Sequence, residues 1–179
     1  MQLIPNHAFW NFSVKFYNDD SIASALHLLQ TKHQLNINII LYCIYCGLSG
    51  RGAINSVQIN QLNHAVEVWH RKITKAIRQL NRRVKQYRDF DAKIHELIFS
   101  TELLTEQIEQ SIIVDTVPVR AIKRRANQLK IDDAIKSLHH YFESKKINLL
   151  RDTLIAVKTI LTKAFPKLLQ NDNQLDLFA

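Results

Sequence analysis

The fold is decided by the segment from Ser56 to Tyr87, which reads SVQINQLNHAVEVWHRKITKAIRQLNRRVKQY. Apolar residues recur along it at steps of three and four, the spacing that places side chains on one face of an α-helix. They are Leu62, Val66, Trp69, Ile73, Ala76, Leu80, Val84 and Tyr87. The pattern predicts one continuous amphipathic helix of about 30 residues that begins at Ser56.

Basic residues of the same segment repeat these steps two positions later, roughly 200° around the helix axis. They are Arg71, Lys75, Arg78, Arg82 and Lys85, with Arg83 and Arg88 beside them. Because phosphates attract such a face ionically, it predicts a nucleic-acid-binding surface. The alternative is that the acidic segment that follows lies antiparallel beside this helix and neutralises part of its charge. The acidic residues are Glu96, Glu102, Glu106 and Glu109.

Charge alternates in sign along the chain. Residues 51–88 contain nine Lys or Arg and one acid, whereas residues 89–116 contain seven acids and one Lys. Residues 117–130 add five basic residues and no acid. This second basic block supplies further candidate nucleic-acid contacts, at Arg120, Lys123, Arg124 and Arg125. The formal net charge of +8 favours an acidic partner such as DNA.

The rest of the chain also predicts helices, because 3 Gly and 3 Pro leave few turns for short strands. Residues 35–48 are nearly all apolar, so periodicity does not separate a helix from a strand there; we expect a buried helix because no partner strand is found. Other helices are expected after Asn6, near Asp19, from Asp89 or Asp91, from Pro118 to about Lys130, from Asp132 to about Ser144, and from Ile147 to Phe165. The acidic helix is expected to face inward with Ile94, Leu97, Ile98, Leu104, Ile108 and Ile112.

The predicted fold is therefore all-α, a multi-helix bundle with a long central amphipathic helix and a disordered C-terminal tail. We expect a core helical domain over residues 1–116 and a helical extension packed on it over residues 117–165. Residues 166–179 are expected to form a flexible tail after Pro166.

The sequence contains no pattern typical of a catalytic site. A Gly-rich phosphate loop, a nucleophile elbow and a His-Glu-x-x-His motif are all missing. Cys43 and Cys46 have the spacing of redox and zinc motifs, but they lie in an apolar segment without a second ligand pair, which indicates core packing. Glu67-x-x-His70 is half of a di-iron motif without its second copy. We expect a non-enzymatic protein with no metal, cofactor or small-molecule substrate; an enzyme would require a polar cluster inside a cavity.

The location is expected to be cytoplasmic. Two Cys are too few for a secreted disulfide framework, and the N-terminus does not read as a signal peptide. The longest apolar stretch, residues 37–48, is too short to cross a bilayer. No membrane partner is therefore expected.

The last residues form an apolar cluster after a polar linker, residues 167–173. Leu175, Leu177 and Phe178 are unusual in a flexible tail and suggest burial on a partner. The string Gln174-Leu175-Asp176-Leu177-Phe178 resembles the pentapeptide by which bacterial polymerases and repair proteins bind the replicative sliding clamp, and all five positions match. The resemblance implies that the Gln forms hydrogen bonds at a pocket mouth while the Leu and the Leu-Phe pair fill apolar pockets. The alternatives are that the cluster folds back onto the bundle or that the match is a coincidence.

A second resemblance covers about the first hundred residues. It is carried by Phe9-Trp10-x-Phe12-Ser13, Tyr17, Leu26-x-Leu28-x-x-x-x-His33, Asn38, Leu41-x-Cys43 to Gly47, and Trp69. These residues resemble a family of small uncharacterised bacterial proteins known as a domain of unknown function. The resemblance implies a helical bacterial cytoplasmic protein and implies no activity.

These observations predict a non-enzymatic accessory protein of DNA replication or repair, which binds the sliding clamp through residues 174–178 and has DNA as a further candidate partner. The alternative is a nucleic-acid-binding or regulatory helical protein whose tail is incidental.

Overall fold

The computed structural model describes residues 7–86 and 91–166, and all structural statements below concern these residues. They form α1 (Ala8–Tyr17), α2 (Asp20–His33), α3 (Ile37–Leu48), α4 (Ser56–Trp69), a π-helical segment (His70–Thr74), α5 (Lys75–Val84), α6 (Ala92–Thr116), α7 (Asn127–Ser144) and α8 (Arg151–Ala164). The described residues contain no strand, which confirms the predicted all-α class. None of their helices combines the length and the apolar character needed to cross a membrane.

The core is built around α3, of which ten residues are buried. Its helix begins where the side chain of Asn36 accepts a hydrogen bond from the backbone N–H of Asn38. α7 packs closely against it, because a Cβ atom at Gly47 would lie 2.6 Å from the carbonyl oxygen of Lys130. On another side the ring of Phe9 meets Tyr42 edge-on, with centroids 5.0 Å apart. The predicted buried helix over residues 35–48 is confirmed.

α2 and α8 lie antiparallel to each other. Lys32 at the end of α2 pairs with Asp152 at the start of α8, and Lys163 at the end of α8 pairs with Asp19, which caps α2, at 2.8 Å. Between these ion pairs the two helices bury apolar side chains, including Leu26, Leu29, Ile160 and Leu161.

Polar side chains cap the other helices. The Nδ1 atom of His7 accepts from the backbone N–H of Trp10 and caps α1; Asn6, the cap we predicted, lies outside the described residues. Asn55 and Gln58 form a capping box at the start of α4. Asp91 caps α6 through the backbone N–H of Lys93, as its position suggested.

The predicted short basic helix from Pro118 to about Lys130 is wrong. Residues 117–126 are not helical, because their polar groups bond to the α3–α4 connection instead. The backbone N–H of Ile122 donates to the carbonyl oxygen of Gly50 at 2.8 Å, and the Arg51 side chain donates to the carbonyl of Val119. α7 then begins at Asn127, so Asp132 lies inside it rather than at its start.

The long predicted helix exists, but its register changes in the middle. Up to Val66 the predicted apolar face is buried, whereas Ile73, inside the π-helical segment, and Leu80, after it, are 38% and 44% exposed. Thr74 and Asn81 are buried in their place, at 0% and 5%. A π-turn holds one residue more than an α-turn, so it rotates the helix that follows by about 100°. The predicted inward face is therefore wrong for Ile73 and Leu80.

The predicted inward face of α6 is wrong for Ile94, Leu97 and Leu104, whereas Ile98, Ile108 and Ile112 are half-buried and Ile112 packs against the core. Ile94, Leu97 and Leu104 are exposed, and the buried residues of this helix are Thr105, Glu109, Gln110 and Ile113. The reason is that α6 turns its polar residues toward α3, the π-helical segment and α5.

Candidate functional site

A buried network of polar side chains joins three parts of the bundle. Asn36 and Asn38 come from the start of α3, and three acids come from α6. The π-helical segment and α5 supply the rest. We call this set the polar network; its members are Asn36, Asn38, His70, Thr74, Arg78, Asn81, Glu102, Glu106 and Glu109.

Glu109 lies at the centre of the polar network and is fully buried. Its Oε1 atom accepts from the side-chain amides of Asn36 at 2.6 Å and Asn38 at 3.1 Å. Its Oε2 atom accepts from the Thr74 hydroxyl at 2.9 Å and lies 3.0 Å from Nδ1 of His70. Burial alone raises the pKa of Glu109, but these hydrogen bonds outweigh it and hold the pKa below its ordinary value. The carboxylate is therefore ionised and fully bound by protein groups.

The rest of the polar network pairs α5 with α6 in antiparallel order. Arg78 forms ion pairs with Glu106 and, at 3.5 Å, with Glu102. The side-chain amide of Asn81 also donates to Glu102, at 2.5 Å. Burial lowers the pKa of Arg78, but the carboxylates of Glu106 and Glu102 outweigh it and raise the pKa. The order of partners along α5 is thus opposite to their order along α6.

The arrangement stabilises the junction of helices rather than presenting reactive groups to a ligand. Two surface depressions of the described residues lie elsewhere, one beside Val57, Gln61 and His64 and one beside Lys136 and His139. Among the described residues, no group of three or more His, Cys, Asp or Glu side chains is placed to hold a metal ion.

Sequence reasoning did not find the polar network, although one signal for it exists. Thr74, Arg78 and Asn81 follow the spacing i, i+4, i+7, and Glu102, Glu106 and Glu109 follow the same spacing in a chain segment of opposite charge. Two matched polar stripes of this kind indicate two helices that face each other. The apolar spacing obscured this signal, because in the sequence it continues past the π-helical segment, whereas in the structure a different face of the helix is buried there.

The structure separates the residues predicted to bind nucleic acid. Arg71, Arg82, Arg83, Lys85, Arg120, Lys123 and Arg124 are exposed. Lys75 is half-buried, with its Nζ atom 3.4 Å from Oε1 of Gln34. Arg78 belongs to the polar network, where it pairs with Glu102 and Glu106 of α6. For this residue the structure agrees with the alternative that the acidic helix neutralises part of the basic face. Arg125 makes two hydrogen bonds to Asp133, at 2.9 and 2.6 Å. Arg88 lies outside the described residues.

The two cysteines are core residues, as their apolar surroundings predicted. Both are free and fully buried. Burial raises the pKa of the Cys43 thiol well above its ordinary value and raises that of Cys46 to about 12. At neutral pH both therefore remain protonated, which disfavours thiolate chemistry.

The candidate clamp-binding residues, Gln174, Leu175, Asp176, Leu177 and Phe178, lie outside the described residues. Their assignment stays a prediction from the sequence.

Comparison with known proteins identifies a family for most of the bundle. Neither the curated proteins nor the solved structures gave a match. A family model described as "Protein of unknown function (DUF2390)" matches residues 8–113, a range that runs from α1 into the last turn of α6 and contains the whole polar network. α7 and α8 follow the matched range. This confirms the resemblance seen in the N-terminal residues: the chain belongs to the family Protein of unknown function (DUF2390).

Proposed function

We propose that the protein is a non-enzymatic accessory protein of DNA replication or repair that binds the bacterial sliding clamp through residues 174–178. The observation that carries the proposal is the match of Gln174, Leu175, Asp176, Leu177 and Phe178 to all five positions of the clamp-binding pentapeptide. The proposal places the protein in the bacterial cytoplasm, where the clamp encircles DNA.

The expected affinity of this segment alone is modest. Burying two Leu side chains and one Phe contributes roughly 5 to 8 kcal/mol, and ordering a short peptide on its partner removes about 2 to 5 kcal/mol of that. A second contact between the helical body and the encircled DNA would raise the effective concentration of the segment at the clamp. The excess of basic residues in the chain is compatible with such a contact.

The test uses full-length protein and immobilised clamp. We expect the wild-type chain to bind and to be displaced by a known clamp-binding peptide. Leu177→Ala with Phe178→Ala should abolish binding, since the pocket that the Leu-Phe pair fills loses both of its side chains. The matched control is Leu168→Ala with Leu169→Ala, which removes two apolar side chains from the same end of the chain and should leave binding intact.

The midpoint temperature of thermal unfolding distinguishes clamp binding from the alternative that residues 174–178 fold back onto the bundle. A clamp-binding segment predicts the same unfolding temperature for wild-type protein and for the Leu177→Ala, Phe178→Ala variant. Unaltered clamp binding by that variant would contradict the proposal, and a lower unfolding temperature would show instead that the segment packs on its own bundle.

The second candidate function is a nucleic-acid-binding or regulatory module whose last residues are incidental. The observation in its favour is the exposure of the predicted contacts at Arg71, Arg82, Arg83 and Lys85 and at Arg120, Lys123 and Arg124. It predicts salt-dependent retention of duplex DNA that persists in the Leu177→Ala, Phe178→Ala variant and is accompanied by no clamp binding in the wild-type chain.

A further inference from the structure

Six basic side chains from five parts of the fold lie around the end of α2 near Gln34. We call this set the basic end patch. Its members are Lys32 of α2, Arg71 of the π-helical segment, Lys75 of α5, Lys145 and Lys146 directly after α7, and Arg151 at the start of α8. Only Arg71 and Lys75 were among the contacts predicted from the sequence.

One side of the basic end patch is fixed by contacts of residues 32–34. The Nζ atom of Lys75 lies 3.4 Å from Oε1 of Gln34, which places the start of α5 beside the end of α2. His33 contacts the Thr153 hydroxyl at 2.7 Å, and Lys32 pairs with Asp152. The first turn of α8, with Arg151, therefore lies at the same end of α2.

The other side is fixed by contacts between α4 and the end of α7. The side-chain amide of Asn63 donates to the Ser144 hydroxyl at 3.1 Å. Partial burial lowers the pKa of Lys145 while the carboxylate of Glu67 raises it, so these two side chains are neighbours. Arg71 follows Glu67 by one helical turn and precedes Lys75 by another. Residues 145–150 then connect this side to Arg151.

The patch carries an excess of positive charge at its surface. Five of its six side chains are exposed and Lys75 is half-buried. The acids around it are Glu67, Glu143 and Asp152, of which Asp152 is paired with Lys32. Arg71, Lys146 and Arg151 have no carboxylate partner among the described residues. The amide side chains of Gln34, beside Lys75, and of Asn63, beside Ser144, supply additional hydrogen-bond donors.

We propose that the basic end patch binds the phosphate backbone of duplex DNA. Cationic groups interspersed with amide donors are the chemistry that holds phosphate oxygens without reading sequence. The choice of duplex DNA rests on the proposed function, because the clamp encircles a duplex. The patch also revises the predicted DNA-binding face of α5: Arg78 interrupts that face by joining the polar network, and the register change leaves Arg71 and Lys75 beside basic residues from α2, α7 and α8.

The test compares two matched triple variants in the full-length chain. The first replaces the unpaired members of the patch, as Arg71→Glu, Lys146→Glu and Arg151→Glu. The second, the control variant, is Lys15→Glu, Lys93→Glu and Lys136→Glu, at exposed positions of α1, α6 and α7 that are not among the predicted nucleic-acid contacts. Both variants alter the net charge equally.

Affinity for a fluorescent DNA duplex is measured between low and physiological salt. We expect the patch variant to bind at least about tenfold more weakly than wild type. Its affinity should also depend less on salt, because about two or three fewer ions are released when it binds DNA. The control variant should stay within about threefold of wild type. If a glutamate triple fails to fold by circular dichroism, the corresponding Gln variants at the same positions replace both sets.

The proposal would be overturned if the two variants lost affinity for DNA equally. It would also be overturned if the wild-type protein bound anionic phosphatidylglycerol vesicles but not DNA. Failure of the clamp proposal is a separate result. It would appear as unaltered clamp binding by the Leu177→Ala, Phe178→Ala variant, which is expected to retain its affinity for DNA. The patch variant, in turn, should still bind the clamp in the absence of DNA.

Discussion

Glu109 shows at the scale of one residue how this fold keeps a charge inside. Its carboxylate has no contact with solvent and is bound by side chains from the start of α3 and from the π-helical segment. An ionised group removed from water is tolerated only when hydrogen bonds and opposite charge replace its hydration. The binding groups come from distant positions of the sequence, so Glu109 links elements that the chain itself does not hold together.

Glu109→Gln is therefore expected to destabilise the protein by about 3 kcal/mol at pH 7, because an amide in this position turns a donor toward the donors of Thr74 and His70. The measurement is urea unfolding followed by circular dichroism. Glu96→Gln, the same substitution at an exposed position of α6, is the control and should change stability by less than about 0.5 kcal/mol. Similar effects of the two substitutions would contradict the role assigned to Glu109.

The pH dependence of this effect has a definite sign. The pKa of Glu109 is lower in the folded protein than its ordinary value of 4.5, so the unfolded chain takes up the proton first as the pH falls. The stabilisation by Glu109 is complete above that ordinary value and is lost as the pH falls through the folded pKa. The stability difference between wild type and Glu109→Gln should therefore shrink as the pH falls below the ordinary value and through the folded pKa. A difference that stays constant over this range would show that the charge of Glu109 does not contribute.

The π-helical segment is the decisive feature at the scale of elements. It lets α4 present apolar residues such as Leu62 to the core, while Thr74 at its own end and Arg78 and Asn81 of α5 face the acids of α6. A continuous α-helix would have turned Leu80 toward α6 and the amide of Asn81 away from Glu102. The extra residue per turn thus joins an apolar interface and a polar one in a single helical rod.

Paired substitutions at neighbouring positions test this register. Leu80→Gln should change stability by less than about 0.5 kcal/mol, because Leu80 is largely exposed. Asn81→Leu should cost about 1 to 3 kcal/mol, since the half-buried carboxylate of Glu102 loses a donor. The free energies of unfolding of both variants, measured by chemical denaturation, test the register. The opposite order of effects would mean that the helix keeps an uninterrupted α-helical register.

The elements differ in how far the sequence predicts them. α3 is predictable because an apolar run that follows the capping residue Asn36 leaves a buried helix as its simplest structure, and the start of α6 is predictable from Asp91. The register change is not, because no residue between His70 and Thr74 is specific for a π-turn; the tertiary pairing of Thr74 with Glu109 selects it. The predicted helix from Pro118 to about Lys130 is wrong for a similar reason. Its basic composition permits a helix, and the contacts of Ile122 with Gly50 and of Val119 with Arg51 favour the non-helical course.

The candidate sites likewise differ in how far the sequence predicts them. The pentapeptide at residues 174–178 is a local pattern and can be found in the sequence alone. The basic end patch cannot, since Lys32, Arg71, Lys146 and Arg151 come from four separate segments that meet only in the folded bundle.

At the scale of the whole molecule, the matched family range and the folded unit do not coincide. The family model ends at residue 113, yet the core of the matched range is completed by α7 and α8. The hydroxyl of Tyr141 accepts from the backbone N–H of Asn36, and Ser137 accepts from the backbone N–H of Ile54. Gly47 permits the close approach of Ala134. The division into a domain of residues 1–116 and an extension of residues 117–165 stays a prediction, but the two parts share one core.

A fragment of residues 1–116 should consequently fail to fold on its own. It would lose the buried side chains of α7 and α8, among them Ile131, Leu138, Phe142, Ile160 and Leu161. Each fully buried side chain of this size contributes roughly 1.5 to 3 kcal/mol, so their sum matches or exceeds the 5 to 15 kcal/mol by which a typical domain is stable. Thermal unfolding by circular dichroism and the amide dispersion of a proton NMR spectrum give the measurement. A fragment of residues 1–166, which keeps every described helix, is the control and should unfold cooperatively near the temperature of the full chain. A cooperative transition in the 1–116 fragment would show that α1 to α6 form an independent domain, and α7 would then be an accessory to the core rather than a part of it.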